Sequence, residues 1–292
     1  MTRRGWLLFS TMCVLWGIPY LLIKVAVEDL SPPVVVLART GIGAAVLLPV
    51  AAARGYLRPL LPCWRWLLAF TVLEIAGPWL LLTDAERHLT SSLTGLLVAA
   101  VPMVAAVASL ALGEQDRLDR TRVVGLVVGM AGVAVLLGLD LGGEVRAALE
   151  LAVVVVGYGT APLIVSRRLA DVPSLGVIAA SLGITAVAYA PVAALSWPSQ
   201  VPSAQVLTSV VVLALACTVA AFLVFFALIV ESGPNRALVI TFVNPAVALL
   251  LGVVLLGESF TAGAAVGFPL VLLGCVLATR PSAARLPAVA EP

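Results

Sequence analysis

Pro102-Met-Val-Ala-Ala-Val-Ala-Ser-Leu-Ala-Leu-Gly-Glu114 and Pro245-Ala-Val-Ala-Leu-Leu-Leu-Gly-Val-Val-Leu-Leu-Gly-Glu258 are two copies of one pattern: a proline, an apolar run and a closing Gly-Glu. Further matches travel with them. Gly125 and Gly132 follow the first copy, Gly267 and Gly274 the second, and upstream Trp16-Gly17-Ile18-Pro19-Tyr20 answers to Tyr158-Gly159-Thr160-Ala161-Pro162. The pairs lie 142 to 144 residues apart in a chain of 292. Several matches in one order at one offset mark an internal duplication.

Hydropathy says what is duplicated. Apolar residues make up 62% of the chain and charged residues 11%, with a mean hydropathy of +1.16, whereas about a quarter of an ordinary soluble domain is charged. Lipid is therefore the solvent for most of this chain. An apolar stretch of roughly 20 residues crosses the hydrocarbon core as a helix. Windows at about 6–26, 33–53, 66–83, 89–112, 123–139, 149–165, 175–195, 206–230, 237–256 and 261–279 predict an all-α integral membrane protein of about ten transmembrane helices. The third and fourth are divided by Asp84-Ala-Glu86-Arg87-His88; merged, they would be too long for a bilayer about 30 Å thick. The first window follows Met-Thr-Arg-Arg and imitates a signal peptide. Its apolar part outruns an h-region and has no small-residue cleavage site, so it reads as the first span.

Five helices per half is an odd number, so the second half enters the membrane from the opposite side. The expectation is two inverted five-helix repeats, residues 1–141 and 142–280, with a cytoplasmic tail at 281–292. Arginine placement tests the count, because cytoplasmic loops collect Lys and Arg. With the N-terminus inside, thirteen arginines fall on the cytoplasmic side, including Arg117 and Arg236, and only Arg87 and Arg146 on the outside. A miscounted helix would mix the two sets. The chain is thus expected in an inner or plasma membrane with both termini cytoplasmic.

Other functions are argued against. The net charge of +2 is too small and dispersed for nucleic acid. Cys13, Cys63, Cys217 and Cys275 lack CxxC spacing; three read as buried filler and Cys63 as a cytoplasmic loop residue, so neither metal nor cofactor is expected. There is no HExxH helix or Walker motif, and the sole histidine, His88, lies in a loop, which argues against an enzyme or nucleotide-driven pump. Polar residues are too few to ring a channel. A secondary carrier of a small organic molecule remains.

Trp16-Gly17 with Lys24 closing that helix, the proline within the fourth and ninth spans, and the Gly-Glu closing each of them resemble the drug/metabolite transporter superfamily, in its EamA-like branch. The resemblance covers nearly the whole chain. It implies a ten-helix carrier with a central cavity, often an exporter of amino acids, other metabolites or drugs, and leaves the substrate open. The chain departs from the branch at Glu74, an acid in the third span, where many relatives are apolar.

Candidate residues follow from depth. Pro102 and Pro245 each delete one helical hydrogen bond, freeing the carbonyls of Val98 and Thr241. Matched breaks of this kind point to a carrier's binding site, as hinges, or else are static kinks. Asn244 adds a polar group at that depth, for substrate or for a helix-to-helix bond. Trp16, Tyr20, Trp79 and Tyr158 suit a cavity wall or plain packing, whereas Trp6, Trp64, Trp66 and Trp197 sit at span ends as interfacial anchors. Lys24 and Arg39 are expected to snorkel to the headgroups, with attraction of anionic substrates as the alternative. Gly125-x-x-x-Gly129 and Gly263-x-x-x-Gly267 permit close helix approach, within one molecule or across a homodimer. Glu74 stands near midplane, where an ionised carboxylate costs at least roughly 2 to 3 kcal/mol. It is expected to couple protons or bind substrate, with Pro78 and Gly77 opening the backbone beside it; the structural alternative is pairing with Lys24, Arg39 or a neighbouring helix.

The arginine distribution yields a direct test. Single-cysteine variants at His88 and Arg146 should react with an impermeant thiol reagent in intact cells, while Cys63 and a cysteine in the tail from Arg280 should not. Labelling of the tail from outside would overturn the even helix count.

Overall fold

The computed structural model describes residues 1–113, 120–140, 144–233, 237 and 239–279. Glu114, Arg117, Arg236, the junction at 141/142 and the tail from Arg280 lie outside the described residues. Among the described residues the regular structure is entirely helical. Eight helices are long and apolar enough to cross a membrane: α1 (Arg3–Ala26), α2 (Pro32–Ala53), α3 (Arg58–Ala85), α4 (Ser91–Ala111), α5 (Arg120–Gly138), α6 (Val145–Arg168), α7 (Ser174–Leu195) and α8 (Ala204–Ser232). Two shorter apolar helices, α9 (Ile240–Leu255) and α10 (Ala262–Ala278), complete the ten.

Helix ends explain the duplicated Gly-Glu. Gly113 and Gly257 have φ of +72° and +67°, the left-handed conformation that ends a helix and that glycine adopts without a Cβ penalty. After Gly257 the chain turns back toward the bundle. Glu258 accepts hydrogen bonds from the amides of Ser91 at 2.7 Å and Ser92 at 2.9 Å, and from the Ser92 hydroxyl. These are orphan donors at the start of α4, which a carboxylate stabilises both by hydrogen bonding and against the helix dipole. Thr90, Ser203 and Thr261 cap α4, α8 and α10 with their own side chains.

The packing is built from exchangeable pairs. α5 packs on α10, α2 on α7, and α4 on α9, while α3 packs on α6 as α8 packs on α1. Replacing each helix by its counterpart in the other half leaves this set unchanged, as a two-fold relation requires. At the α5–α10 seam the backbones come close together. A Cβ on Gly125 would stand 2.5 Å from the amide nitrogen of Ala278, and one on Gly132 2.7 Å from that of Val271. Gly129 meets Gly274 backbone to backbone. The first glycine motif is thus occupied by intramolecular packing.

Two irregularities break the helices. Thr71–Ala76 in α3 and Leu215–Ala220 in α8 are π-helical turns, 144 residues apart. Prolines act differently in the two halves: α1 breaks at Ile18 before Pro19 and α4 at Ala99–Ala100 before Pro102, whereas α6 and α9 run unbroken through Pro162 and Pro245.

Because backbone cannot yield, Gly274→Ala should force α5 and α10 apart, a destabilisation of about 1 to 3 kcal/mol by the measure of overpacked cores. Gly41→Ala, with nothing within 4 Å of its added Cβ, should be neutral or stabilising. Thermal midpoints in detergent check both; equal midpoints would contradict the seam.

Candidate functional site

The π turn of α3 packs against α6 and α7, and that of α8 against α1 and α2. Each holds one residue too many for α-helical bonding: the Gly77 amide reaches back five residues to the Val72 carbonyl, and the Ala221 amide to that of Ala216. Pro78 supplies no amide, so carbonyls before it need other partners. The Leu73 carbonyl abuts Gly157 of α6, which leaves room for it only because it lacks a Cβ. The Ala76 carbonyl accepts from the Tyr189 hydroxyl of α7 at 2.9 Å.

Arg39 of α2 reaches the α8 turn on one side and, on the other, the part of α3 that follows its turn. It is 8% exposed. Its Nε donates to Thr218 Oγ1 at 2.8 Å, and its guanidinium carbon lies 3.5 Å from the Trp79 ring centroid. Tyr158, Cys217, Tyr20 and Glu86 are the titratable groups close enough to act on it electrostatically. The expected snorkelling of Arg39 is corrected by this geometry. The α2 face that carries Val35, Val36, Arg39, Thr40 and Gly43 is buried, so the side chain cannot reach the headgroups.

Glu74 occupies in the α3 turn the position that Thr218 holds in the α8 turn, 144 residues on. Its Oε2 is buried with no hydrogen-bond partner among the described residues, and Tyr158 lies within its electrostatic reach. It makes no ion pair with Lys24 or Arg39 among the described residues. Tyr158 also adjoins Trp79, and Tyr20 packs beside Gly95. Tyr20, Trp79 and Tyr158 therefore gather around Arg39, and Glu74 adjoins this group only through Tyr158.

The other candidates stand elsewhere. Trp16 packs on Phe222 and Phe225 of α8, with ring centroids 5.9 and 4.8 Å away. Asn244, in the amide orientation that satisfies both its ends, donates to the Ile240 carbonyl at 3.1 Å and the Cys13 carbonyl at 3.3 Å, tying α9 to α1. Pro102 sits just after the break in α4, where the Cys275 thiol of α10 donates to the Ala99 carbonyl at 3.2 Å. Pro245 lies inside a continuous helix. Trp6, Trp64, Trp66 and Trp197 are exposed at span ends, with Arg168 4.7 Å over Trp66.

Lys24 does not snorkel either. Its Nζ donates to the carbonyls of Glu86 at 2.6 Å and Leu89 at 2.8 Å, closing α1 onto the α3–α4 turn. Glu86 is 0% exposed, and both its carboxylate oxygens lack a partner among the described residues. Lys24, Glu258 and Arg39 surround it electrostatically. Its sequence setting in a charged loop cluster hides this burial. At the same end of the bundle Arg146 joins Asp84 at 2.7 Å and Glu150 at 2.8 Å, linking α3 to α6.

The ten apolar helices among the described residues, with π turns at one offset in α3 and α8 and a buried guanidinium on α2, have the construction of a multi-pass membrane transporter. The model of the EamA-like transporter family matches residues 3–138 and again 146–280, and the chain belongs to that family. An uncharacterized transporter, YvbV, of Bacillus subtilis is 26% identical over 297 residues, covering 98% of this chain and 95% of its own. An uncharacterized inner membrane transporter, YedA, of Escherichia coli K12 is 26% identical over 254 residues, covering 85% of this chain and 81% of its own. A crystal structure of a chain 25% identical superposes with a TM-score of 0.67, over 96% of this chain and 97% of that one.

The unequal prolines yield a prediction. Pro102→Ala restores an amide able to bond the Val98 carbonyl and mend the break in α4, so it should slow transport at undiminished folded yield. Pro245→Ala, in a helix already continuous, should have the smaller effect. Wild-type initial rates in both variants would make the prolines static kinks.

Proposed function

We propose that this protein is a secondary carrier that exports a small organic metabolite across an inner or plasma membrane by alternating access around Arg39 and Trp79. One observation carries the reading: a buried guanidinium, Arg39 of the first half, is held between Thr218 in the π turn of the second half and Trp79, just past the matching turn of the first. Unwound or broken helices at matched depths, at the interface of two repeats, are where inverted-repeat carriers hold substrate. In this account residues 1–141 and 142–280 are the two bodies that rock, and both termini, with the tail at 281–292, are cytoplasmic. The contacts of Lys24, Glu258 and Arg146 then close the outward end in this conformation. Amino acids and related metabolites lead as cargo. Drug–proton antiport is the second reading, favoured by the unpartnered Oε2 of Glu74 inside the site. Neither reading calls for a cofactor, nucleic acid or a homodimer.

Counterflow in proteoliposomes, run with and without an imposed pH gradient, tests both. Flux should saturate and should accelerate when substrate is present on the far side. Glu74→Gln keeps shape and hydrogen bonding but cannot ionise, so it should retain counterflow and lose the response to the gradient. Flux that never saturates would overturn the carrier, and an intact gradient response in Glu74→Gln would overturn coupling through Glu74.

A further inference from the structure

We propose that Arg39 is the carboxylate-binding group of this carrier, so that the cargo is a small organic acid or zwitterion that enters the site through its carboxylate. The proposal rests on the carrier reading above and adds the chemistry of what is carried. A guanidinium presents five N–H donors in one planar fork. The structure accounts for one of them and for one face: Nε is held by Thr218 at 2.8 Å, and the ring of Trp79 lies 3.5 Å from the guanidinium carbon. The Nη edge is left over. No Asp or Glu oxygen comes within 4.0 Å of it, and no hydrogen bond from either Nη is made, among the described residues. Yet Arg39 is 8% exposed, and the residue is charged at any physiological pH.

A buried charge lacking a counter-ion is unfavourable unless something completes it, and inside a membrane such residues mark substrate or ion pathways. A purely structural staple of α2 to α3 and α8 explains the Thr218 and Trp79 contacts. It does not explain an open Nη edge. That edge matches the two oxygens of a carboxylate, which a guanidinium grips with parallel hydrogen bonds. Thr218 and Trp79 hold the fork in one plane and one direction, so little freedom remains to be lost when a ligand arrives. The charge balance favours a monoanion over a phosphate. Arg39 has most of its donors to spare, whereas Lys24 commits two of its three to carbonyls. Glu86 lies within electrostatic reach of Arg39 and Glu74 beside Tyr158, both with unpartnered oxygens, and they oppose a second negative charge. Trp79, Tyr20 and Tyr158 offer ring faces to the rest of the ligand, which suits an apolar or aromatic body.

The test uses matched pairs on purified full-length protein: phenylacetate and phenylacetamide, 4-methylpentanoate and 4-methylpentanamide, L-phenylalanine and L-phenylalaninamide, L-leucine and L-leucinamide. Each compound is titrated against the thermal midpoint. At least one acid should stabilise the protein saturably, and at a concentration roughly ten-fold or more below its amide, the ratio expected of a charge-assisted hydrogen bond. Arg39→Gln should bring that ratio to about one, and Arg39→Lys, which keeps the charge but not the fork, should retain part of it. A merely structural Arg39 would lower the midpoint without moving the ratio. Amides binding as well as acids, no acid binding, or an unchanged ratio in Arg39→Gln would each overturn the assignment. Counterflow of the best-bound acid separates the two readings. Binding without flux would leave the carboxylate site and remove the carrier, while saturable flux indifferent to acid or amide would do the reverse.

Discussion

Hydrocarbon offers a polar group neither water nor counter-ion, so each one placed there must find its partner within the protein. Most of this architecture answers that demand. Glu258 takes the orphan amides that begin α4, Lys24 takes two carbonyls of the α3–α4 turn, and Tyr189 bonds the Ala76 carbonyl in the α3 π turn. Cys275 meets the carbonyl exposed by the break in α4, and Asn244 reaches across to α1. Buried hydroxyls of Thr40, Thr71, Thr83 and Thr185 bond carbonyls one turn back, as Ser and Thr do in helices. Against so thorough a settlement the exceptions stand out. Glu74 and Glu86 are among those that keep buried oxygens without a partner, and the Nη atoms of Arg39 make no hydrogen bond, among the described residues.

Repetition is what makes such a centre. Each half contributes a π turn at the same offset, and the fourth residue of each turn, Glu74 in one and Thr218 in the other, belongs to the buried polar cluster. The halves are equivalent in packing but not in detail. Prolines break α1 and α4 while their counterparts in α6 and α9 leave the helix intact. One sequence pattern therefore supports two backbone arrangements, which is the property a rocking mechanism needs from its repeats.

Much of this is legible in the chain itself. Spacing of apolar windows, the Gly-Glu pairs and the matched offset are local signals, and they specify the helices, their closing turns and the duplication. Glu74, Trp79, Tyr20 and Tyr158 are legible as candidates because an acid or a large aromatic at depth is conspicuous. Arg39 is harder. A basic residue eight positions into α2 has a stem long enough for the headgroups, and only the tertiary direction of that helix face decides between lipid and core. The signal that distinguishes it is the rule applied to Glu74: an ionisable group within a span is functional until shown otherwise. Glu86 is concealed by its charged neighbours, whose hydration in the sequence reading does not extend to it in the fold. The π turns leave no signature beyond Pro78, since α8 makes the same turn without a proline.

Cys217, native to the α8 turn and within electrostatic reach of Arg39, offers the most direct measurement of whether this centre opens to each side in turn. In a variant whose other three cysteines are replaced, an impermeant thiol reagent should modify Cys217 from the cytoplasmic side in inverted vesicles and from the outer side in intact cells. A saturating cargo and an imposed gradient should shift the two rates in opposite directions. Rates that rise and fall together, or a cysteine unreactive from both sides in a protein that still transports, would contradict alternating access at this site.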